Sequence, residues 1–172
     1  EVNKMQRKEL TNDPVCHMQV SASSFDTEYS GMTFSFCSEQ CRDRFLATPH
    51  LYIGFPGQKA PAQEGVEVLK CRKIHLDFPL NATQYQQIHD ALTSMMGVQY
   101  IHIDGDNLEI KYDLILVTAE QIEIKLVSVG ASLGQGWTDR LRRAFIHFKE
   151  ESEVGSLEVM KSKKCCNQGD TL

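Results

Sequence analysis

The sequence predicts an α+β protein in which a small cysteine-rich metal module precedes a larger strand–helix domain. Three observations support this prediction. Cys16, Cys37 and Cys41 are spaced as in a metal site. Residues 54–65 are rich in Gly, Pro, Ala and Gln and show no apolar period, which is typical of a linker. Residues 66–133 then alternate in the order strand, helix, hairpin, helix.

The metal module is predicted over residues 13–53. Cys37 and Cys41 are separated by three residues, which places their thiols on one face of a helical turn. Twenty residues separate Cys16 from Cys37, and Cys16 lies on a strand or knuckle that can fold back toward the pair. Three converging sulfurs suit zinc, copper(I) or iron rather than magnesium or calcium. So short a segment buries little apolar surface by itself, so we expect its metal to supply much of its folding free energy.

The aromatic residues of the module are predicted to form its core. Phe34 and Phe36 alternate along a strand that leads into Cys37. Phe45 lies four residues beyond Cys41, on the same helical face. We therefore expect these rings to be buried beside the thiols.

The module resembles a known family. Its motifs are DPVC-x-M, Tyr-x-Gly, Phe-Cys-Ser-x-x-Cys and a final Phe, Pro and Tyr, found within residues 13–52. They resemble the YHS domain, which belongs to the TRASH group of small treble-clef-like metal-binding modules. The resemblance covers about forty residues and implies that Cys16, Cys37 and Cys41 are metal ligands. His17 stands where the family usually has Gly, and it either supplies a fourth ligand or points into water.

The metal remains open between copper(I) and zinc. Structural zinc takes four ligands, and His17 or His50 would have to complete the set. Copper(I) is soft and accepts two or three thiolates. The thioether of Met18 would suit copper(I), although a core role is the main expectation for it.

The second domain is predicted over residues 66–153. Asn81 and Thr118 are predicted helix caps, and Gly97 is the predicted end of the first helix. The element order is that of a ferredoxin-like split βαβ domain, although the final strand is not evident. It resembles heavy-metal-associated domains of copper chaperones and P-type ATPases in element order and length only. Because the loop after the first strand lacks their CxxC, metal binding does not carry over, and we expect a degenerate relative that serves as a docking surface.

Residues 137–153 are predicted to form an added C-terminal amphipathic helix. Trp137, Leu141, Phe145 and Phe148 share one face, which we expect to pack on the preceding sheet. Contact with a membrane or a partner is the alternative. Residues 154–172 are predicted to be a polar, mobile tail, whose adjacent Cys165 and Cys166 either capture a soft metal or are incidental.

Other candidate sites are weaker. Cys71 lies within a strand and is predicted to be a buried small hydrophobe. His75 and His102 lie on strands that could be neighbours, but they lack a third ligand. Neither a Ser-His-Asp order nor a phosphate-binding Gly loop occurs, so we do not expect an enzyme.

Composition limits the class of protein. The net charge of −5 argues against nucleic acid as the main partner. No apolar run approaches the roughly 18 residues that cross a bilayer, so stable membrane insertion is not expected. The charged N-terminus does not resemble a secretory signal, although a removed leader stays open because the chain does not begin with Met. Cysteines in a CxxxC pattern favour a reducing compartment, and we expect the cytoplasm.

These features predict a binding protein for a soft heavy metal, copper(I) or zinc, that acts in metal homeostasis, trafficking or resistance. The expected partners are the ion and a metal-transporting ATPase or a metal sensor. The alternatives are a structural-zinc module for protein interaction and an accessory subunit, because YHS-like modules also occur attached to oxygenases.

Overall fold

The N-terminal module consists of two short hairpins followed by two helices. The computed structural model describes residues 10–21 and 25–164, with side chains up to residue 159. The elements of the module are β1 (Leu10–Asn12), β2 (Gln19–Ser21), β3 (Thr27–Tyr29), β4 (Met32–Phe34), α1 (Glu39–Ala47) and α2 (His50–Ile53). β1 pairs with β2 and β3 with β4, both antiparallel. A short 3₁₀ helix, Ala62–Glu64, lies within the predicted linker.

The second domain has a three-stranded antiparallel sheet and three helices, which confirms the predicted α+β class. Its elements are β5 (Leu69–His75), α3 (Ala82–Thr93), β6 (Val98–Asp104), β7 (Asn107–Asp113), α4 (Ala119–Ser128) and α5 (Trp137–Lys164). The strand order is β5-β7-β6, so the last strand lies between the first two. A single bridge joins Leu76 to Leu133 beyond the end of β5.

Local sequence signals explain the limits of the two short helices. Asn81 and Gln84 form a capping box at the start of α3, and Thr118 and Gln121 form another at the start of α4. Both predicted caps are therefore confirmed. α3 ends at Thr93, before Gly97. A side chain at Gly97 would be strained, because its φ is +90° and an added Cβ would lie 2.6 Å from that of Leu116.

The core of the second domain lies between one face of the sheet and the helices. Its buried residues include Leu76, Ile88, Leu92, Leu108, Ile110, Tyr112, Ile122 and Leu126. The other face of β5 is exposed, and Cys71 lies on it. The prediction that Cys71 is buried is therefore wrong. Side chains along β5 alternate between the two faces of the sheet; Ile74 faces the core, and Cys71 faces the opposite side.

The metal module shares a second hydrophobic cluster with the rest of the chain. Phe36, Phe45 and Tyr52 pack in one cluster with Leu114 and Ile115, which directly follow β7. Two buried polar contacts cross the same boundary. Arg44 donates to the carbonyl oxygen of Leu114 at 2.8 Å, and Tyr52 donates to that of Ile115 at 2.5 Å. The module therefore buries its apolar surface against the second domain.

Helix α5 differs from its prediction in length and orientation. It continues past residue 153 to Lys164, and Val154 and Leu157 pack in the cluster shared with the module. The face that carries Trp137 and Phe145 is exposed and does not pack on the sheet, so that expectation is wrong. The buried face instead presents Glu150, whose carboxylate is bonded to groups of the second domain.

Of the helices that the structure describes, none combines the length and the apolar character needed to cross a bilayer.

Candidate metal centre

Cys16 lies in the loop of the β1–β2 hairpin. The Asp13 N–H donates to the Met18 carbonyl oxygen at 2.9 Å, and the His17 N–H donates to the Asp13 carbonyl oxygen at 2.9 Å. The loop can close this way because His17 adopts φ 62°, in the left-handed region. This tight turn projects the Cys16 thiol out of the hairpin.

Cys37 and Cys41 are placed by the start of α1. Ser38 is the N-cap of this helix, and its hydroxyl accepts the Cys41 N–H at 3.3 Å. Cys41 therefore lies in the first helical turn, and Cys37 lies directly before the cap. The two thiols are therefore close, as predicted, but only Cys41 belongs to the helix.

The three predicted thiols converge. The Sγ atoms of Cys16 and Cys37 are 3.4 Å apart, and those of Cys37 and Cys41 are 3.6 Å apart. Together with a carboxylate oxygen of Asp13, all the potential ligand atoms lie within 4.8 Å of one another. Cys41 is buried, and the other two thiols are partly exposed. These residues form a group that could hold a metal ion.

Asp13 is the member of this group that the sequence reasoning missed. It is fully buried. Its Oδ1 accepts the N–H groups of Val15 at 2.8 Å and Cys16 at 3.3 Å, while Oδ2 accepts the Cys37 N–H at 2.8 Å. The Asp13 carboxylate therefore connects the loop of the β1–β2 hairpin to the segment before α1 through hydrogen bonds. The Asp-Pro pair that begins the DPVC motif was the available signal, since Asp often bonds to its own backbone two residues on.

The histidines considered as a fourth ligand lie outside the group. His17 is exposed. His50 stacks on Phe55 with ring centres 4.1 Å apart, and its Nδ1 lies 2.9 Å from the Gly54 carbonyl oxygen. Met18 is 51% exposed, so its expected core role is wrong. It lies in the wall of a groove beside the site.

The local environment separates the acidities of the three thiols. Hydrogen bonding from Cys41 lowers the pKa of Cys16 to about 7, against the effect of burial. Burial raises the pKa of Cys37 to about 11. The pKa of Cys41 is raised well above its ordinary value, first by its hydrogen bond to Cys16 and then by burial. Without metal, Cys16 is therefore the first of the three thiols to ionise as the pH rises.

Asp13 remains ionised beside these thiols. Burial alone would raise its pKa, but the N–H groups of Cys37 and Val15 stabilise the carboxylate and hold the pKa below its usual value. An ionised carboxylate keeps accepting the N–H bonds that hold the hairpin loop and Cys37 together.

A shell of aromatic rings packs behind the thiols, as predicted. Phe45 lies at its centre, with ring centres of Tyr29, Phe34 and Phe36 at 5.7, 4.9 and 5.2 Å. Phe36 and Phe45 are fully buried. This packing keeps water away from the Cys41 side of the group.

On the other side, the group opens to solvent. A groove of about 720 Å³ is lined by Cys37 and by Met18, Met95 and Met96. Its remaining lining comes from the first half of α1, from one side of α4 along its length, and from Ser94 just after α3. Cys37 is therefore accessible from a surface to which the second domain contributes.

The other soft-ligand candidates are separate from this group. Cys71 is exposed on the open face of the sheet. His75 lies 3.7 Å from a carboxylate oxygen of Asp106. Cys165 and Cys166 lie outside the described residues. Within residues 10–21 and 25–159, the set formed by Asp13 and the three cysteines is the one metal-competent cluster of His, Cys, Asp or Glu.

Comparison with known proteins supports the position of the site. The family model of the YHS domain matches residues 11–54. No curated protein and no solved structure matches the chain. The family match and the cysteine–carboxylate group coincide, so the candidate metal site lies in the matched N-terminal segment.

Proposed function

We propose that this chain binds a soft heavy-metal ion on Cys16, Cys37 and Cys41 and acts in metal homeostasis, trafficking or resistance. The supporting observation is the convergence of three thiols from two separate segments within 4.8 Å. Thiolates select soft or borderline ions such as copper(I) and zinc. The protein would act as a cytoplasmic binding protein and not as an enzyme.

The spacing of the sulfurs fits such an ion. In a tetrahedral site with metal–sulfur bonds of about 2.3 Å, two sulfurs lie about 3.8 Å apart. The separations of 3.4 and 3.6 Å are within a few tenths of an ångström of that value. Small side-chain rotations would therefore suffice for all three thiolates to share an ion.

The ligand set favours copper(I) over zinc. Structural zinc takes four ligands, whereas copper(I) accepts three thiolates. His17 is exposed and outside the group, and both oxygens of Asp13 already accept backbone N–H groups. Three sulfurs without a free fourth ligand therefore argue for copper(I).

Ion transfer would proceed through the groove at Cys37. Because this thiol lines an open groove, a thiolate of a partner could approach the ion there. Met18, Met95 and Met96 add soft thioethers to the same wall. A metal-transporting ATPase or a metal sensor is the kind of partner that would exchange the ion in this way.

A structural zinc site is the second candidate, in which the ion stabilises a module for protein interaction. One observation favours it: a carboxylate oxygen of Asp13 lies within 4.8 Å of the sulfurs, and carboxylates do bind zinc. In that case Asp13 would complete a Cys₃Asp set and would give up a backbone hydrogen bond.

Competition for metal separates these two functions. The metal-free chain would be titrated with copper(I) and with zinc against chelators of known affinity, and the Asp13→Asn variant would be treated alike. Copper handling predicts tight, exchangeable copper(I) binding that leaves a three-sulfur signature in X-ray absorption. Structural zinc predicts a sulfur–oxygen signature that becomes three-sulfur in Asp13→Asn. Binding of neither ion would overturn the proposed function.

We also infer a finer fold for each part. A treble-clef-like fold is supported for the N-terminal module. It has a hairpin that carries Cys16, a second hairpin, and a helix whose first turn carries Cys41. In the second domain, β7 lies between β5 and β6, as in a ferredoxin-like split βαβ unit. The Leu76–Leu133 bridge follows β5 in place of a full fourth strand, which supports a degenerate relative of the heavy-metal-associated domains.

A further inference from the structure

Helix α5 carries an exposed apolar stripe along its first three turns. The stripe consists of Trp137, Leu141, Phe145 and Phe148, which are 78%, 56%, 61% and 66% exposed. Three of the four are aromatic. Large rings so widely exposed on successive turns of one helix form a contiguous apolar surface, and such surfaces mark interaction sites.

The stripe lies opposite the face by which α5 packs on its own protein. At 100° per residue, the stripe residues fall within about 80° of one another, centred near Leu141. Ile146, Glu150 and Val154 lie about 140° to 180° around the helix from that centre, and all three are partly or fully buried. The helix therefore packs on the protein by one face, and among the described residues none covers the opposite, apolar face.

Basic side chains flank the stripe on both sides. Arg140 lies on one side, and Arg142 and Lys149 on the other, each roughly 80° to 100° from the centre of the stripe. All three are exposed. The Lys149 Nζ lies 5.9 Å from the ring centre of Phe145, at the edge of the stripe. Glu151 is an exposed acid near this face, in the turn after the stripe ends.

We propose that this face of α5 docks on an anionic membrane surface, with the helix axis in the plane of the interface. Trp, Phe and Leu on one face with Lys and Arg along its borders are the features of interfacial helices. The rings would enter the headgroup region while Arg140, Arg142 and Lys149 contact anionic lipid. The chain carries −5 overall, so the attraction would come from this local positive surface.

The same charges argue against a second copy as the occupant. Two stripes facing each other would bring the basic borders of both helices together, and like charges at such positions repel. The stripe also ends at Phe148, because Ser152, Gly155 and Ser156 follow on that side. Three turns are short for a stable helix pair.

The only tryptophan of the chain lies in the stripe and supplies a direct probe. The full 172-residue chain would be mixed with vesicles of phosphatidylcholine alone, and with vesicles that also contain phosphatidylglycerol. We expect a blue shift of Trp137 fluorescence and quenching by brominated lipid with the anionic vesicles. Binding should weaken at high salt, because salt screens the attraction.

Three variants test the two parts of the surface. Phe145→Ser with Phe148→Ser should reduce the partition coefficient at least about tenfold, because the apolar contact is lost. Arg142→Glu with Lys149→Glu should reduce it by a similar factor while leaving the rings in place. Ile124→Ser is the matched control: Ile124 is 63% exposed, on α4, and its replacement should leave binding unchanged.

Each other outcome would overturn the proposal. Equal binding to neutral and anionic vesicles would show that the basic side chains beside the stripe do not attract anionic lipid. A dimer in solution that dissociates in the Phe145→Ser, Phe148→Ser variant would assign the stripe to a second copy. Absence of binding to either vesicle, with circular dichroism showing a folded chain, would exclude membrane docking.

Discussion

At the scale of single residues, the buried Asp13 carboxylate holds together the two segments that carry the candidate ligands. The thiols come from segments 21 residues apart, Cys16 to Cys37, and the Asp13 carboxylate accepts a backbone N–H from each. The CxxxC spacing predicted the approach of Cys37 and Cys41, because residues four apart at the start of a helix are local neighbours. The role of Asp13 depends on a contact between distant segments, which local spacing does not encode.

We predict that Asp13→Asn weakens metal binding about 10- to 100-fold, because an amide cannot accept all three N–H bonds and the thiols lose their positions. Chelator competition measures the change. Asp43→Asn is the control, since Asp43 is exposed in the same module and pairs with Arg42. An unchanged affinity in Asp13→Asn would show that the thiols do not depend on this carboxylate.

The same variant should change the acid stability of the protein. The pKa of Asp13 is lower in the folded chain than its unfolded value of about 4. Its contribution to stability is therefore present above about pH 4 and is lost as the pH falls through the folded pKa. Urea unfolding of the metal-free protein should show a gap between wild type and Asp13→Asn that narrows below about pH 4. A constant gap would contradict this linkage.

Metal affinity should rise steeply with pH above neutrality. The pKa of Cys16 is about 7, but that of Cys37 is about 11 and that of Cys41 is also raised. Binding three thiolates therefore expels about two protons, so the affinity should increase up to about a hundredfold per pH unit above pH 7. Chelator titrations at two pH values, corrected for the chelator, measure this slope. An increase in affinity of tenfold or less per pH unit would mean that two of the three thiols are already ionised in the metal-free protein.

At the scale of elements, Glu150 on α5 joins three parts of the second domain. It is 1% exposed. Its carboxylate accepts the Tyr112 hydroxyl at 2.5 Å and the Ala119 N–H at 2.8 Å, and it lies 3.4 Å from Arg72 Nη2. Ala119 is the first residue of α4, so the charge also stabilises the N-terminus of that helix. Burial, and then this carboxylate, raise the pKa of Tyr112.

We expect Glu150→Gln to lower the free energy of unfolding by about 1–3 kcal/mol, because a charged acceptor is replaced by a neutral one beside Arg72. Urea denaturation followed by circular dichroism measures the loss. Glu151→Gln, one residue on and exposed, should change stability by less than about 0.5 kcal/mol. Equal effects of the two substitutions would exclude a special role for Glu150.

Sequence reasoning succeeded for the helix starts, where the signal was local, whereas α3 ends at Thr93 and not at the predicted Gly97. The caps at Asn81 and Thr118 were identified because a capping box needs only four residues. It failed for α5, whose aromatic face was expected to be buried. Hydrophobic periodicity finds an apolar stripe but does not distinguish the side that packs on the protein. Here the buried side includes Glu150, which a hydrophobicity pattern assigns to solvent.

At the scale of the whole molecule, the metal module and the second domain are joined by a shared core. Leu114 is fully buried in the cluster that also contains Phe45 and Tyr52. Its backbone carbonyl accepts a bond from the buried Arg44. The linker composition of residues 54–65 predicted a boundary but gave no information about this contact. Packing between segments distant in sequence cannot be inferred from one sequence without coordinates.

We predict that Leu114→Ala destabilises both parts together, by about 2–5 kcal/mol, because it opens a cavity in the shared cluster. Two probes would be followed in urea with the metal-free protein: labelling of the buried Cys41 thiol for the module, and circular dichroism for the helices. Coincident midpoints in wild type and variant are expected. Labelling of Cys41 at urea concentrations far below the midpoint measured by circular dichroism would show that the module unfolds alone.

The proximity of the thiols also creates a chemical vulnerability. Cys16 and Cys37, at 3.4 Å, need to approach by only about 1.4 Å to reach the sulfur–sulfur bond length of about 2.0 Å. Cys16 has the lowest thiol pKa of the three and so supplies the nucleophilic thiolate. An oxidant such as peroxide would therefore join this pair and leave Cys41 as a single thiol. A bound ion would occupy the same sulfurs, so loading with metal would also shield them from oxidative damage.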